Sequence, residues 1–326
     1  MKRVILVGAG QLGSRHLQAL ATVSFELDIA VIDPGEVSRR VAEERWFEVG
    51  GHEGVVSFYS NLEDVPERDK RVDIVIIATN ANVRLHVIEG VFALFSVVYL
   101  VLEKVLFQSI DEYHKAQTLF DLHLPKGVWV NCPRRTYSFY SQIVREGLCH
   151  EISDVRVSGG EWGIACNAIH FVDLVSSLTN RGITKIWTDG LDSEVVESKR
   201  AGYVEFTGAI DVEFDSGINL KIESFKESMS PIKVVINTKT HRIEVCEFER
   251  TLEIFDKLTH KSSTRSIDVP FQSSLTASVV QDLLSAGNCA LPVYSESARL
   301  HIPLVSAFED FYKENSTSPL ERLPIT

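Results

Sequence analysis

The sequence predicts an α/β Rossmann domain followed by an α+β domain with a large, mostly antiparallel open sheet. Three observations predict it. A glycine-rich turn, Gly8-Ala-Gly10-Gln-Leu-Gly13, joins an apolar run to a stretch of helical spacing. Apolar runs and helical spacings then alternate as far as about residue 130, the order of a parallel sheet with helices on both faces. Past about residue 150, one strand-like run follows another across turn signals, the order of an antiparallel sheet. At 326 residues the chain suits two domains, here divided at 1–130 and 131–326.

Residues 3–7 (Arg-Val-Ile-Leu-Val) predict a buried strand, and 11–21 a helix. A second strand is expected over 28–32, ending at Asp33. Residues 73–78 (Asp-Ile-Val-Ile-Ile-Ala) are β-branched without alternation, as in a parallel strand buried on both faces. Helical spacing over 82–92, a strand over 97–102 ending at Glu103-Lys104, a helix over 110–120 and a strand over 127–131 complete the first domain. In the second, residues 153–158 alternate valine with polar residues, and 167–178 predict a helix. Strand character fills 203–214, 218–225, 232–237, 242–246 and 251–255, with Asp215-Ser-Gly217 as one turn between them. Two helices are expected to close the chain, over 276–284 and 295–312.

Composition narrows the function. Apolar residues make up 44% of the chain, enough for real cores. No run approaches the ~20 apolar residues of a membrane span. Val4–Val7 after Lys2-Arg3 is too short for a signal-peptide core. A cytoplasmic protein with no membrane partner is expected. The five cysteines (132, 149, 166, 246 and 289) are odd in number and lack CxxC spacing. They read as reduced thiols. No set of ligands with tight spacing points to a metal. A net charge of −12 lacks the basic footprint of a nucleic-acid binder.

The glycine turn gains meaning from its context, a strand before it and a helix after it. Gly8 would permit the tight turn, Gly10 the approach of a pyrophosphate, and Gly13 close helix–strand packing. Gln11 and Leu12, between them, open a helix whose N-terminus favours phosphate. Asp33 lies 20 residues after Gly13, where a carboxylate accepts from ribose hydroxyls. An acid there disfavours a 2′-phosphate, so NAD is the expected cofactor. Arg39 and Arg40 leave NADP open. Thr79 and Asn80 follow the third strand and are expected to line the same crevice. A plain glycine turn without ligand is the bland alternative.

Glu103-Lys104 ends a strand on the same edge. Oxidising an alcohol by hydride transfer needs a group that takes the hydroxyl proton, and a partly buried lysine suits that task. A lone surface lysine at a strand end is the competing reading. A helical His170-Phe-Val-Asp173 follows later in the chain. The glycine motif, Ala78-Thr79, Glu103-Lys104 and His170-x-x-Asp173, in this order, resemble the glucose–fructose oxidoreductase / inositol dehydrogenase (Gfo/Idh/MocA) family. The resemblance covers most of the chain. It implies a Rossmann domain, a large open sheet, and oxidation or reduction of sugars, cyclitols or nucleotide-linked sugars with NAD(P).

Carried onto this sequence, the family's Glu-Lys-Pro becomes Glu103-Lys104-Val105, with the proline missing. Its Asp-x-Gly-x-His-x-x-Asp becomes Cys166-Asn-Ala-Ile-His170-Phe-Val-Asp173. Cys166 stands at the first aspartate and Ala168 at the glycine. The resemblance implies Lys104 and His170 as catalytic residues and Glu103 beside the cofactor. A cysteine cannot replace a carboxylate, so Asn167 is a substitute polar contact. Arg134 and Arg135, after the last Rossmann strand, would pair with a carboxylate or phosphate of the substrate, or with local acids. Cys166, Asp173 and Gln272 complete the expected substrate set, and Tyr137 is a weaker member. The closing helix is expected to pack back towards the first domain.

The expected function is hydride transfer between nicotinamide and a sugar-like hydroxyl or ketone. The segments around Arg134-Arg135 and His170 are similar to a surface-glycan subgroup, which implies a nucleotide-activated or acidic sugar. Two alternatives stay open. NAD could cycle within one turnover, or the protein could be a non-enzymatic NAD-binding sensor or regulatory subunit. An uncovered sheet face would expose apolar area, so a homodimer or homotetramer is expected.

Overall fold

The computed structural model describes residues 1–52, 55–316 and 321–326. The chain forms two compact units. The first comprises Met1–Phe107, Asp111–Asn131 and Pro270–Tyr294, and the second Gln108–Ile110, Cys132–Val269 and Ser295–Thr326.

In the first unit the order is β1 (Lys2–Val7), α1 (Gln11–Leu20), β2 (Leu27–Ile32), α2 (Glu36–Glu48), β3 (Val56–Tyr59), β4 (Val72–Ile77), α3 (Ala81–Leu94), β5 (Val97–Leu102), α4 (Ile110–His123) and β6 (Gly127–Val130). The six strands form one parallel sheet in the order β3-β2-β1-β4-β5-β6. Its order reverses between β1 and β4, the place where such sheets bind ligands. The register brings the carboxyl ends level: Val7 pairs with Ile32 and Ile77, and Ile77 with Leu102. The loops at Gly8, Asp33, Ala78 and Glu103 therefore leave one edge together.

Helices α2 and strand β3 were not expected. Only Ala42 and Trp46 of α2 are buried, so its apolar stripe is faint in the sequence. β3 is a four-residue edge strand with no fully buried residue.

The second unit contains α5 (Ser138–Arg145), β7 (Ile152–Gly160), α6 (Ile164–Thr179), β8 (Ile183–Trp187), β9 (Val196–Glu197), β10 (Val204–Glu205), β11 (Gly208–Phe214), β12 (Ile218–Phe225), β13 (Lys233–Thr238), β14 (His241–Cys246), β15 (Thr251–Asp256) and β16 (Lys261–Ser266). Eight strands form a sheet in the order β16-β15-β14-β13-β7-β12-β11-β8. Its described pairs are antiparallel except β7 with β12. Val155, Val157, Leu220, Ile222, Val234 and Ile236 are buried on one face. A side chain of that size contributes about 1.5–3 kcal/mol on burial.

The alternate residues of these strands are mostly polar or charged, with Val235 and Phe225 among them. Arg156 and Lys221 pair with Glu223, and Lys233 and Arg242 pair with Glu244. Strand β16 (Lys-Ser-Ser-Thr-Arg-Ser) is a polar edge, which protects a sheet from pairing with other chains. Its lack of apolar residues hid it from the sequence reading.

Helix α7 (Gln272–Ala286) corrects the domain boundary. It belongs to the first unit, where Val279, Val280 and Leu283 join the core cluster of Leu17, Ile29, Ile74 and Trp129. The expected second domain of 131–326 is thus interrupted. From Ser295 onward the last helix, α8 (Tyr294–Asn315), counts with the second unit. The helix returned to the first unit is α7. No helix among the described residues is long and apolar enough to cross a membrane.

Candidate active site

Two of the three glycines are required by the backbone itself. Gly8 has φ of +95°, and a Cβ there would lie 3.0 Å from the backbone of Ala78 and Thr79. A Cβ on Gly13 would meet the Gly8 carbonyl oxygen at 1.8 Å. Gly10 is different, because a Cβ there meets nothing within 4 Å. Gly10 is also the N-cap of α1, with no side-chain cap. The first ladder bond runs from Ser14 N–H to the Gly10 carbonyl, so the amides of Gln11, Leu12 and Gly13 precede the helical ladder.

Asp33 braces this turn. Its Oδ2 accepts from the Ala9 amide at 2.7 Å and its Oδ1 from the Gly35 amide at 2.8 Å. The Arg39 guanidinium donates to the Asp33 carbonyl at 2.5 Å. Gln11 accepts from Arg45, Leu12 is half-buried and Asn80 is exposed. The Thr79 hydroxyl oxygen is buried without a hydrogen-bond partner among the described residues. Open space over Gly10, uncapped helix amides and that hydroxyl together fit a bound dinucleotide.

Gly10→Val therefore separates folding from binding. The site is spacious and its φ of −63° is unstrained, so the melting temperature falls only by the modest loss of a favourable N-cap residue. NAD affinity falls by more than about tenfold, a loss above about 1.4 kcal/mol, because the side chain occupies the pyrophosphate's approach. Isothermal titration with NAD measures it.

Glu103 occupies a different place from the one expected. It is only 3% exposed, and its carboxylate is engaged by buried side chains of the first unit. Its Oε1 lies 2.9 Å from His16 Nε2 and accepts from the Asn131 amide. His16, 1% exposed, places Nδ1 2.8 Å from the Thr276 hydroxyl of α7. Burial alone would raise the Glu103 carboxyl. The hydrogen bond and charge of His16, the Asn131 bond and the Lys104 charge outweigh it and hold the group below its ordinary range. Lys104 follows, half-buried, and its peptide bond to Val105 is cis.

The residues expected to bind substrate in the second unit are turned on one another. Arg134 donates twice to Glu247, at 2.9 and 3.1 Å, with its guanidinium over the Phe171 ring. Arg135 donates twice to Asp173, at 2.8 and 2.7 Å, and once to Glu296 at 2.8 Å. Asp173 is 1% exposed. Burial pushes its carboxyl up, to about 6, against the pull of Arg135. The local-acid alternative thus describes both arginines, and Asp173 offers no open face to a substrate. Bidentate arginine–carboxylate pairs of this kind fix geometry strongly.

Helix α6 carries His170, which is buried. Asn167 donates its side-chain amide to the carbonyls of Trp162 and Gly163. The Cys166 thiol donates to a Thr326 oxygen at 2.7 Å, and its backbone amide donates to Glu205. Gln272, the first residue of α7, bonds to Thr276 and belongs to the first unit. Tyr137 is buried.

The sequence reading missed His16, Asn131 and Thr276. One signal pointed to His16. It shares the buried stripe of α1 with Gly13, Leu17 and Leu20, and a histidine in such a stripe needs a partner.

Comparison with known proteins bears on this geometry. Residues 2–131 match the family model GFO_IDH_MocA, described as an oxidoreductase family with an NAD-binding Rossmann fold. The nucleotide-binding domain belongs to this family. No curated protein sequence matches the chain. Among solved structures, an oxidoreductase from Agrobacterium radiobacter in complex with NAD+, L-tartaric acid and magnesium is 14% identical. That match covers 96% of this chain and 97% of that one at a TM-score of 0.73. UDP-N-acetylglucosamine 3-dehydrogenase GnnA from Acidithiobacillus ferrooxidans is 15% identical over 95% and 98%, at 0.68. The super-repressor mutant of Gal80p from Saccharomyces cerevisiae is 12% identical over 96% of each chain, at 0.72. At these identities the chain shares the fold of all three and no more. Its cofactor is a nicotinamide dinucleotide, as the family model describes.

Proposed function

We propose that the protein is an NAD-dependent dehydrogenase or reductase acting on a sugar-like hydroxyl or ketone. The carrying observation is Lys104. It leaves the end of β5 on the sheet edge that also carries the glycine turn, and the residue before it is fixed by buried hydrogen bonds. Bound nicotinamide supplies the hydride acceptor or donor. In the oxidation direction Lys104 Nζ takes the hydroxyl proton, and in reduction it returns one. His170 assists, as the resemblance implies. Gly8 to Gly13 and Thr79 hold the dinucleotide, and Asp33 accepts from its ribose. A nucleotide-activated or acidic sugar is the proposed substrate class. Similarity in fold to the UDP-N-acetylglucosamine 3-dehydrogenase supports it.

The test is a panel of nucleotide-sugars and sialic-acid-like sugars with NAD and NADP, followed by absorbance of the reduced cofactor. Turnover of one class supports the reading. No turnover across the panel, with cofactor bound, sinks it. Cofactor choice has its own check. Asp33→Ser removes a charged acceptor worth about 1.5–3 kcal/mol, so NAD weakens by roughly 10–100-fold and the NADP-to-NAD preference rises.

A specific observation favours a second reading, a non-enzymatic NAD-binding sensor. Cys166 replaces a carboxylate, and its thiol is engaged by Thr326. A sensor keeps its output when Lys104 and His170 are both changed to alanine; a dehydrogenase loses turnover and keeps NAD.

A further inference from the structure

Lys104 sits between two buried polar clamps. Before it, Glu103 is gripped by His16 of α1 and Asn131. After it, the carbonyls of Val105 and Leu106 both accept from the guanidinium of Arg84, on α3. Arg84 also donates to the carbonyl of Thr79, next to the dinucleotide loop. Arg84 is 1% exposed.

This arrangement is costly for a fold that needs only a strand end. Burying a guanidinium and a carboxylate carries a desolvation cost of several kcal/mol per ion before partners offset it. An apolar side chain would fill either space without that cost. The two clamps also converge on one short segment from opposite faces of sequence, residue 103 on one side and residues 105–106 on the other. The residue between them is the one whose amine must be aimed.

The first clamp also has a defined polarity. Its carboxylate accepts, so His16 Nε2 donates. The far ring nitrogen meets the Thr276 hydroxyl, which is itself within bonding distance of the Gln272 carbonyl and side chain. The imidazole is thus held at both nitrogens and cannot flip without breaking two buried bonds.

We propose that His16 and Arg84 are positioning residues that set the direction of the Lys104 amine by fixing the backbone on either side of it. The proposal rests on the reading of Lys104 as the proton carrier. Its first readout, however, needs neither substrate nor turnover. In NAD-loaded protein, an amine-selective reagent and peptide mapping give the labelling rate of Lys104 against every other lysine. In His16→Phe and Arg84→Met the Lys104 rate changes several-fold while the other lysines keep theirs. His16→Gln retains a donor towards Glu103 and restores the rate.

With a substrate in hand, His16→Phe lowers kcat by roughly 10²-fold, the cost of a misplacement near 1 Å, with KM for NAD little changed. An unchanged Lys104 rate in folded His16→Phe and Arg84→Met overturns the proposal. So does a loss of activity carried by KM for NAD alone. Where His16→Phe does not fold, Thr276→Val loosens the ring from its far side and decides by the same readout. If Lys104→Met turns over normally, the catalytic reading falls, and the labelling result still judges the clamps.

Discussion

Lys104→Met lowers kcat by about 10²–10⁴-fold, the usual worth of a positioned proton-transfer group, and leaves NAD affinity unchanged. Methionine keeps the unbranched stem and its packing while removing the amine. The fold tolerates it, because Lys104 is half-buried and hydrogen bonds to Glu103 and to the Val105 and Leu106 carbonyls hold the segment. Proton transfer is felt only in the transition state, so kcat and kcat/KM fall together. A variant that had merely lost substrate binding would raise KM and spare kcat. Small primary amines added to the assay restore part of the turnover in Lys104→Met and none in a variant damaged elsewhere. The measurement is steady-state kinetics with the sugar that turns over in the panel. Retention of wild-type kcat assigns the proton to another group or the protein to the sensor class.

Much of this site was legible because it is written in backbone chemistry. Gly8 and Gly13 are dictated by a positive φ and by contacts that exclude a Cβ, and such demands show directly as glycine in the sequence. The β-branched strands before Asp33, Ala78 and Glu103 were legible for a similar reason: burial on both faces leaves apolar runs. What escaped depends on partners far away in sequence. Thr276 meets His16 across 260 residues, and α7 around it reads as an ordinary helix of any domain. Sequence also shows charge without its partner. Arg134, Arg135 and Asp173 look like substrate ligands until Glu247 and Glu296 come into place. Glu103 was read one step too generously. Its identity was informative, but its carboxylate points into the protein and serves the residue that follows it.

Asp173→Ala destabilises the second unit by about 3–5 kcal/mol, the cost of leaving one member of a buried pair behind. Arg135 is 10% exposed at its side chain and has two acid partners, Asp173 at 1% and Glu296 at 35%. Removing Asp173 deletes the bidentate contact and leaves a desolvated guanidinium on one half-exposed carboxylate. Glu296 softens the loss, so the lower end of that range is expected, read as a shift of the urea midpoint of the second unit. The partner experiment is Arg135→Met with Asp173→Leu. Both charges then go, Glu296 turns to water, and an apolar pair of similar volume takes the space, so most of the loss is recovered. Recovery marks the pair as a structural device joining the turn after β6 to helix α6. A substrate role is read from binding, not from stability. The double variant would then bind substrate far more weakly than wild type, whereas a purely structural pair leaves substrate affinity unchanged once stability is recovered.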